Sequence, residues 1–373
     1  MSNLHYILPL LGFVYALFAL ALLYGWSKLP LFKPTQTEFK TSVTIIVAAR
    51  NEANNIDACL HSLLAQDYPR HLLEIILVDD HSEDDTAKRI QAHVTKTKHK
   101  LRLLKLEEGA GKKNALAKGI VAASGELIVT TDADCLVGPL WIKTIAGYFE
   151  AHQPDLLLGP VQLAPAKNLF ERIQALEFTG VLGSGAALCG LGLPLYGNGA
   201  NIAYRKASYL NVGGFSKHQH LASGDDMLLM QDIAKQKGKI AFLRNAEALV
   251  KTQPAKNIRS FWNQRLRWAG KNFRMISPLT LSIALLVILS NIAVLASPLL
   301  FIFAPSLQGA AISFLILRLL SDLLLLLSFS TLMKNKGLLF LLLPALFFTS
   351  TYAVLVALAS PFVKPQWKNR QVK

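Results

Sequence analysis

Charge is scarce in this 373-residue chain and absent from long stretches of it. Residues 1–27 contain no Lys, Arg, Asp or Glu, and residues 275–333 contain only Arg318 and Asp322. Charged side chains make up 17% of the whole against 52% hydrophobic, well under the roughly one quarter usual in soluble domains. Such a composition excludes a disordered chain and an ordinary soluble one. Cysteine is scarce too. Cys59, Cys135 and Cys189 stand far apart and match no zinc or disulfide spacing, so reduced thiols are expected, with Cys59 in a helix core. Also missing are a Gly-x-x-x-x-Gly-Lys-[Ser/Thr] loop and the glycine fingerprint of a dinucleotide fold. Gly183-Ser184-Gly185 is a near miss that follows no clear strand. Any bound nucleotide therefore has to be held by acidic and polar side chains.

The charges that are present are segregated. Residues 28–274 hold 23 of the 24 acids and 32 of the 39 basic residues, which reads as a water-facing domain held between membrane segments. Leu4 to Trp26 is an apolar run of the length a spanning helix needs, about 20 residues. Ala19-Leu20-Ala21 resembles a signal-peptide cleavage site, but no basic residue precedes the run, while Lys28, Lys33 and Lys40 follow it. That favours an uncleaved anchor over 1–27, its N-terminus outside and the polar domain cytoplasmic. Three further apolar runs, near 280–304, 309–332 and 338–362, give a C-terminal membrane region over 277–363. A multi-pass protein of a bacterial cytoplasmic membrane is the expected setting.

Two features of that region stay open in the sequence. Arg318 and Asp322 share one helix face; they read either as a pair neutralising itself among helices or as groups along a substrate passage. The tail 364–373 carries Lys364, Lys368, Arg370 and Lys373 and no acid. Three spans put it outside, whereas its charge favours the inside. Either one segment is re-entrant, bent near Pro344, or the tail breaks the positive-inside rule. The net charge of +15 raises nucleic acid as a partner, but the basic residues are interspersed with acids. Membrane lipids, not nucleic acid, are the expected partner of that charge.

From Ser42 the pattern becomes that of an α/β domain. Val43–Ala48, Glu74–Val78, Leu101–Leu106 and Leu127–Thr131 read as short buried strands alternating with helices, the first helix carrying Ile56, Leu60, Leu63 and Leu64 on one face. This order implies a mainly parallel sheet covered on both faces. Ligands of such sheets bind beyond the carboxyl ends of the strands, and there the polar clusters Arg50–Glu52, Asp79–Asp80 and Asp132–Asp134 fall. Two carboxylates one residue apart can hold a divalent cation against a diphosphate. Alone, Asp-x-Asp is equally an ordinary solvated turn.

The ordered set is more specific than any member of it. Val47-Ala48-Ala49-Arg50-Asn51-Glu52, Val78-Asp79-Asp80-His81-Ser82 with Asp85-Thr86, Gly111-Lys112-Lys113-Asn114-Ala115-Leu116 and Asp132-Ala133-Asp134 occur in that order. Gly224-Asp225-Asp226 and Gln264-Arg265-Leu266-Arg267-Trp268 complete it. Together they resemble a family 2 glycosyltransferase over roughly residues 40–275, with the interfacial helix 256–275 included. The flanking helices suit the membrane-embedded branch, which includes cellulose, chitin, hyaluronan and poly-N-acetylglucosamine synthases and ceramide glucosyltransferase.

The resemblance implies a GT-A fold, a nucleotide-sugar donor, usually a UDP-sugar, a lipid or glycan acceptor, a Mg²⁺ or Mn²⁺ ion and inversion at the anomeric carbon. Arg50, Glu52, Asp80, Lys112 and Asp132 fall at donor-binding positions. Asp132 and Asp134 match the metal-binding pair. Asp226 matches the acceptor-activating base, with Asp225 its acidic neighbour. Gln264, Arg267 and Trp268 match the element that closes over the diphosphate and lines the acceptor site. The chemistry agrees with these roles: inverting transfer needs a base opposite the leaving group, and a leaving diphosphate needs positive charge. Trp268 offers a flat face to a sugar. The helix carrying Phe261, Trp262, Leu266 and Phe273 also reads as an amphipathic helix lying on acidic lipid.

Departures from the family pattern lie at Lys251, where some relatives carry a metal-binding His, and at Ala117, where many have Asn. Gly197-Asn198-Gly199-Ala200-Asn201 reads equally as the floor of an acceptor site and as a turn. His218 and His220 are expected in solvent, and Asp85 as a helix cap. Transfer of a hexose or N-acetylhexosamine to a lipid or short glycan is the leading expectation. A processive polysaccharide synthase and a non-catalytic nucleotide-sugar-binding membrane scaffold are the alternatives.

Overall fold

The computed structural model describes residues 4–34, 38–218, 225–272, 277–363, 366–367 and 370–371. Helix α1 (Leu4–Lys28) is followed by β1 (Val43–Ala49), α2 (Ile56–Leu64), β2 (Leu73–Asp79), α3 (Thr86–Lys96), β3 (Lys100–Lys105), α4 (Lys112–Ala122) and β4 (Leu127–Asp132). Next come β5 (Leu136–Val137), α5 (Trp141–His152), β6 (Leu156–Leu158), β7 (Val161–Leu163), α6 (Leu169–Gly190), β8 (Ile202–Arg205) and α7 (Lys206–Asn211). Then follow α8 (Asp225–Lys235), β9 (Ile240–Phe242), β10 (Val250–Thr252), α9 (Ile258–Asn272), α10 (Pro278–Phe303), α11 (Gln308–Met333) and α12 (Leu342–Ala359). They form two units: Lys28–Ala164 with Leu188–Gln253, and Met1–Ser27 with Pro165–Ala187 and Pro254–Lys373.

The first unit is built on a seven-stranded sheet of order β3-β2-β1-β4-β8-β6-β9. Strands β1 to β4 pair in parallel, while β8 runs antiparallel to both of its neighbours. The expected mainly parallel α/β sheet is the one found. Ile45, Ile46 and Val47 of β1 and Ile75 to Val78 of β2 are completely buried, as continuous apolar runs must be when helices cover both faces. The edge strand β3 instead exposes Lys100, Arg102 and Lys105, charges that discourage pairing with another chain. Register decides where the chemistry lies. Ala49 stands opposite Asp79 and Ala48 opposite Asp132, so β1, β2 and β4 end level and release their polar loops at one edge. A small second sheet, β5-β10-β7, adds β10 beside the turn that follows β4.

Among the described residues, four helices are long and apolar enough to cross a membrane, Leu4–Lys28, Pro278–Phe303, Pro305–Met333 and Lys336–Ala359. They coincide with the four apolar runs of the sequence. Lys336–Leu341 is a 3₁₀ turn leading into α12. Arg318 and Asp322 do pair, Nε donating to Oδ2 at 2.9 Å. Asp322 Oδ1 also accepts from the Tyr15 hydroxyl at 2.7 Å, and Arg318 Nη2 donates to Asn291 Oδ1 at 3.3 Å, where Ser350 also donates. The Arg318 guanidinium lies 4.1 Å from the centre of the Tyr15 ring. The pair forms as one of the two readings expects, and its polar atoms tie α1, α10, α11 and α12 together.

Most of α6 belongs to the second unit. A Cβ on Gly183 would lie 2.1 Å from the Phe329 ring, so Gly183 lets α6 approach α11 closely. The Gly183-Ser184-Gly185 near miss is thus a helix-packing surface, not a phosphate loop.

Candidate active site

The loop after β1 is fastened to the loop after β2. Arg50, buried, donates through Nη1 to the carbonyls of Asp80 at 2.8 Å and His81 at 3.0 Å, and through Nη2 to Glu83 at 3.1 Å. Asn51 adopts a left-handed φ of 50°, which Asn tolerates better than most residues. Its amide donates to Ser82 Oγ and its Oδ1 accepts from the Glu83 amide. Asp80 is 1% exposed; its Oδ2 accepts from the Gly111 amide at 2.9 Å and its Oδ1 lies 3.2 Å from His81 Nδ1. Arg50 and Asp80, both expected at donor-binding positions, also brace these loops and the start of α4. The expected cap Asp85 makes no capping bond. Its neighbour Asp84 accepts from the Thr86 amide and hydroxyl instead.

The carboxylates gather where β4 ends. Lys112, first residue of α4, places Nζ 2.5 Å from Asp132 Oδ1. Two residues on, Asp134 Oδ2 accepts from the Thr252 hydroxyl at 3.4 Å, and Cys135 Sγ lies 3.6 Å from Asp134 Oδ1. The ligand-capable atoms of Asp132, Asp134 and Cys135 lie within 4.8 Å of one another. Burial, then the Asp132 and Glu52 carboxylates, push the Asp134 carboxyl up to about 6. Burial likewise pushes the Cys135 thiol well up, so at neutral pH its sulfur is protonated and a poor ligand. The oxygens remain, a donor set suited to a hard divalent cation. Glu52 is half-buried, with Oε2 accepting from Asn55 at 2.8 Å.

A pH dependence follows. A proton on Asp134 competes with a cation, so Mn²⁺ affinity should rise about tenfold per pH unit up to pH 6 and level off above it. Calorimetric titration between pH 5 and 8 measures this; a flat profile would remove Asp134 from the binding set.

Asp226 joins this group through Gly199. The Gly199 amide donates to Asp226 Oδ2 at 2.9 Å, and the Met227 amide donates to Oδ1 at 2.9 Å. A Cβ on Gly199 would stand 3.3 Å from Lys112 Nζ and 3.4 Å from Asp226 Oδ2, so the backbone here passes close to both ammonium and carboxylate, and a side chain would crowd them. The rest of the Gly197–Asn201 stretch is framework. Asn201, 1% exposed, accepts from the Trp141 indole at 3.1 Å and donates to the carbonyls of Pro160 and Ala248. Nothing in the sequence marks Trp141 or its bond to Asn201, which joins residues 60 apart. Lys251 is exposed and Ala117 half-buried. Gly224, His220 and the side chains of His218 and Asp225 lie outside the described residues.

Gln264, Arg267 and Trp268 belong to the second unit, on α9. Burial lowers the Arg267 pKa. The residue that sequence reasoning missed is Arg265, which donates to Glu177 of α6 and lies 4.4 Å from the centre of the Trp268 ring. The Tyr352 hydroxyl of α12 donates to the other Glu177 oxygen. One face of Trp268 is thus taken by Arg265. Phe261 and Leu266 are 0% and 1% exposed, and Phe261 packs on Phe170, Phe348 and Tyr352. These two apolar residues face protein, while Ile258 on the same helix is exposed. Phe273 lies outside the described residues.

Residues 44–210 match the family model described as Glycosyl transferase family 2. The chain is 25% identical over 274 residues to poly-beta-1,6-N-acetyl-D-glucosamine synthase of Staphylococcus aureus, covering 70% of this chain and 61% of that protein. It is 26% identical over 237 residues to the synthase of Staphylococcus epidermidis, covering 61% and 53%. It thus spans less than two thirds of the length of either. A mannosyltransferase of Pyrobaculum calidifontis, solved with GDP-Man and Mn²⁺, superposes with a TM-score of 0.57 at 19% identity, over 97% of this chain and 96% of that one. Level strand ends, the Asp132–Asp134 pair and the family match agree: residues 44–210 are similar to glycosyl transferase family 2, and the sheet is of the GT-A type.

Proposed function

We propose that this protein is a membrane-bound inverting glycosyltransferase that moves a hexose or N-acetylhexosamine from a nucleotide sugar to a lipid or polysaccharide acceptor. The observation that carries the reading is the convergence of Lys112, Asp132 and Asp226 about Gly199, with Asp134 beside Asp132. Asp132 and Asp134 would hold a divalent cation, Mg²⁺ or Mn²⁺, which when bound neutralises charge on the leaving diphosphate. Lys112 supplies a further positive charge beside it. Asp226 takes the proton of the acceptor hydroxyl. Glu52 stands beside the donor, while Arg50 and Asp80 fix the loops that present it. Gln264, Arg267 and Trp268 act on the diphosphate and acceptor.

The curated relatives are named as polysaccharide synthases, which favours N-acetylglucosamine as the sugar and a processive synthase over single addition to a lipid. The apolar helices fit a membrane-embedded, multi-pass enzyme with its sheet domain in the cytoplasm. The test is a panel of nucleotide sugars offered to purified protein in lipid, reading diphosphate release and product length. Cation-dependent release from one UDP-sugar, lost in Asp134→Ala, is expected. Donor binding without turnover of any donor would favour the non-catalytic scaffold.

A further inference from the structure

Lys112 stands where its charge is of use to Asp132 before any cation arrives. Its Nζ touches Asp132 Oδ1, and both side chains are partly open, 24% and 37% exposed, so the ammonium has room to leave. On its other side the missing Gly199 side chain leaves a gap, with Nζ and Asp226 Oδ2 at 3.3 and 3.4 Å from the same point. Lys112 thus lies between two carboxylates, Asp132 toward the cation pair and Asp226 toward the acceptor base. An ammonium at contact distance and a divalent ion repel one another across a shared carboxylate.

We propose that Lys112 is a displaceable internal cation: it neutralises Asp132 in the resting protein, competes with the divalent metal for that carboxylate, and moves toward Asp226 and the donor phosphates when the metal binds. This rests on the metal role of Asp132 and Asp134 proposed above. It makes cation binding weaker than two carboxylates alone would give, and it links occupancy of the metal pair to the charge around Asp226.

The experiment is Mn²⁺ binding to full-length protein in lipid nanodiscs without nucleotide, followed by electron paramagnetic resonance of free Mn²⁺. Lys112→Met and Lys112→Gln should bind Mn²⁺ at least tenfold more tightly than the parent, and Lys112→Arg about as weakly as the parent. Equal or weaker binding by both neutral variants, with thermal unfolding unchanged and parental binding abolished by Asp134→Asn, overturns the proposal and leaves the metal pair standing. Absence of Asp134-dependent binding from parent and variants alike overturns both.

Discussion

Asp226→Ser should abolish most sugar transfer, by about 10²- to 10⁴-fold, the range of a lost general base, while leaving the protein folded. The choice of Ser follows from the geometry. Asp226 is the second residue of α8, in its first turn, where its two oxygens accept from the Gly199 and Met227 amides. A carboxylate so placed has a competing explanation as a helix cap, favoured there by hydrogen bonding and the helix dipole. Asn does not separate the two roles cleanly, because both partners are N–H donors and one would face the Asn NH₂ group. Ser remains a good cap but has no basic oxygen at neutral pH. If Asp226 acts only on the helix, Asp226→Ser keeps both thermal stability and transfer. If it is the base, stability holds and transfer collapses, with Mn²⁺ binding retained. Thermal unfolding, diphosphate release with and without acceptor, and a Mn²⁺ titration read the three in turn. Full transfer by the folded variant would remove the base assignment.

Much of this arrangement is written locally in the chain. Val43–Ala49 and Leu73–Asp79 are short, mostly apolar runs with β-branched residues, too short for core helices, so they read as buried strands. Because parallel strands put their carboxyl ends on one edge, Glu52, Asp132 and Asp134 were placed at a common edge without any coordinates. What was illegible depends on partners distant in sequence or on runs too short to show a period. Strands β6, β8 and β9 have three or four residues each. Helix α6 mixes Glu177 with glycines and apolar residues around its circumference; its pattern makes sense only once Phe329, Asn335 and Tyr352 are known to pack on or bond to it. The switch from Asp85 to Asp84 as the bonded cap is a displacement of one residue within an acidic run, decided by backbone geometry that composition does not encode. Nothing local sets Tyr15 apart from the other aromatics of its apolar helix; only the fold brings Asp322 to its hydroxyl.

Arg265 is the clearest case, and its removal from Glu177 carries the largest stability effect expected here. Both side chains are nearly fully buried, at 4% and 3% exposure, and Arg265 also lies over Phe261, Trp268 and Tyr352. Glu177→Leu strands a guanidinium that is always charged, and breaking a buried pair in this way costs about 3–5 kcal/mol. The double variant Glu177→Leu/Arg265→Met removes both charges with side chains of similar bulk and should recover most of that loss, since a buried ion pair adds little net stability over a well-packed apolar pair. Transfer should behave differently. Arg265 covers one face of Trp268 and precedes Arg267 by two residues, so Met at this position frees the ring it held. The double variant should therefore be stable, should bind Mn²⁺ normally at the Asp132–Asp134 pair, and should still transfer sugar at least tenfold more slowly. Chemical unfolding of the parent and both variants in one detergent, with diphosphate release measured on the same preparations, separates the effects. Recovery of both stability and transfer would show the pair to be only packing; recovery of stability alone assigns Arg265 the task of orienting Trp268.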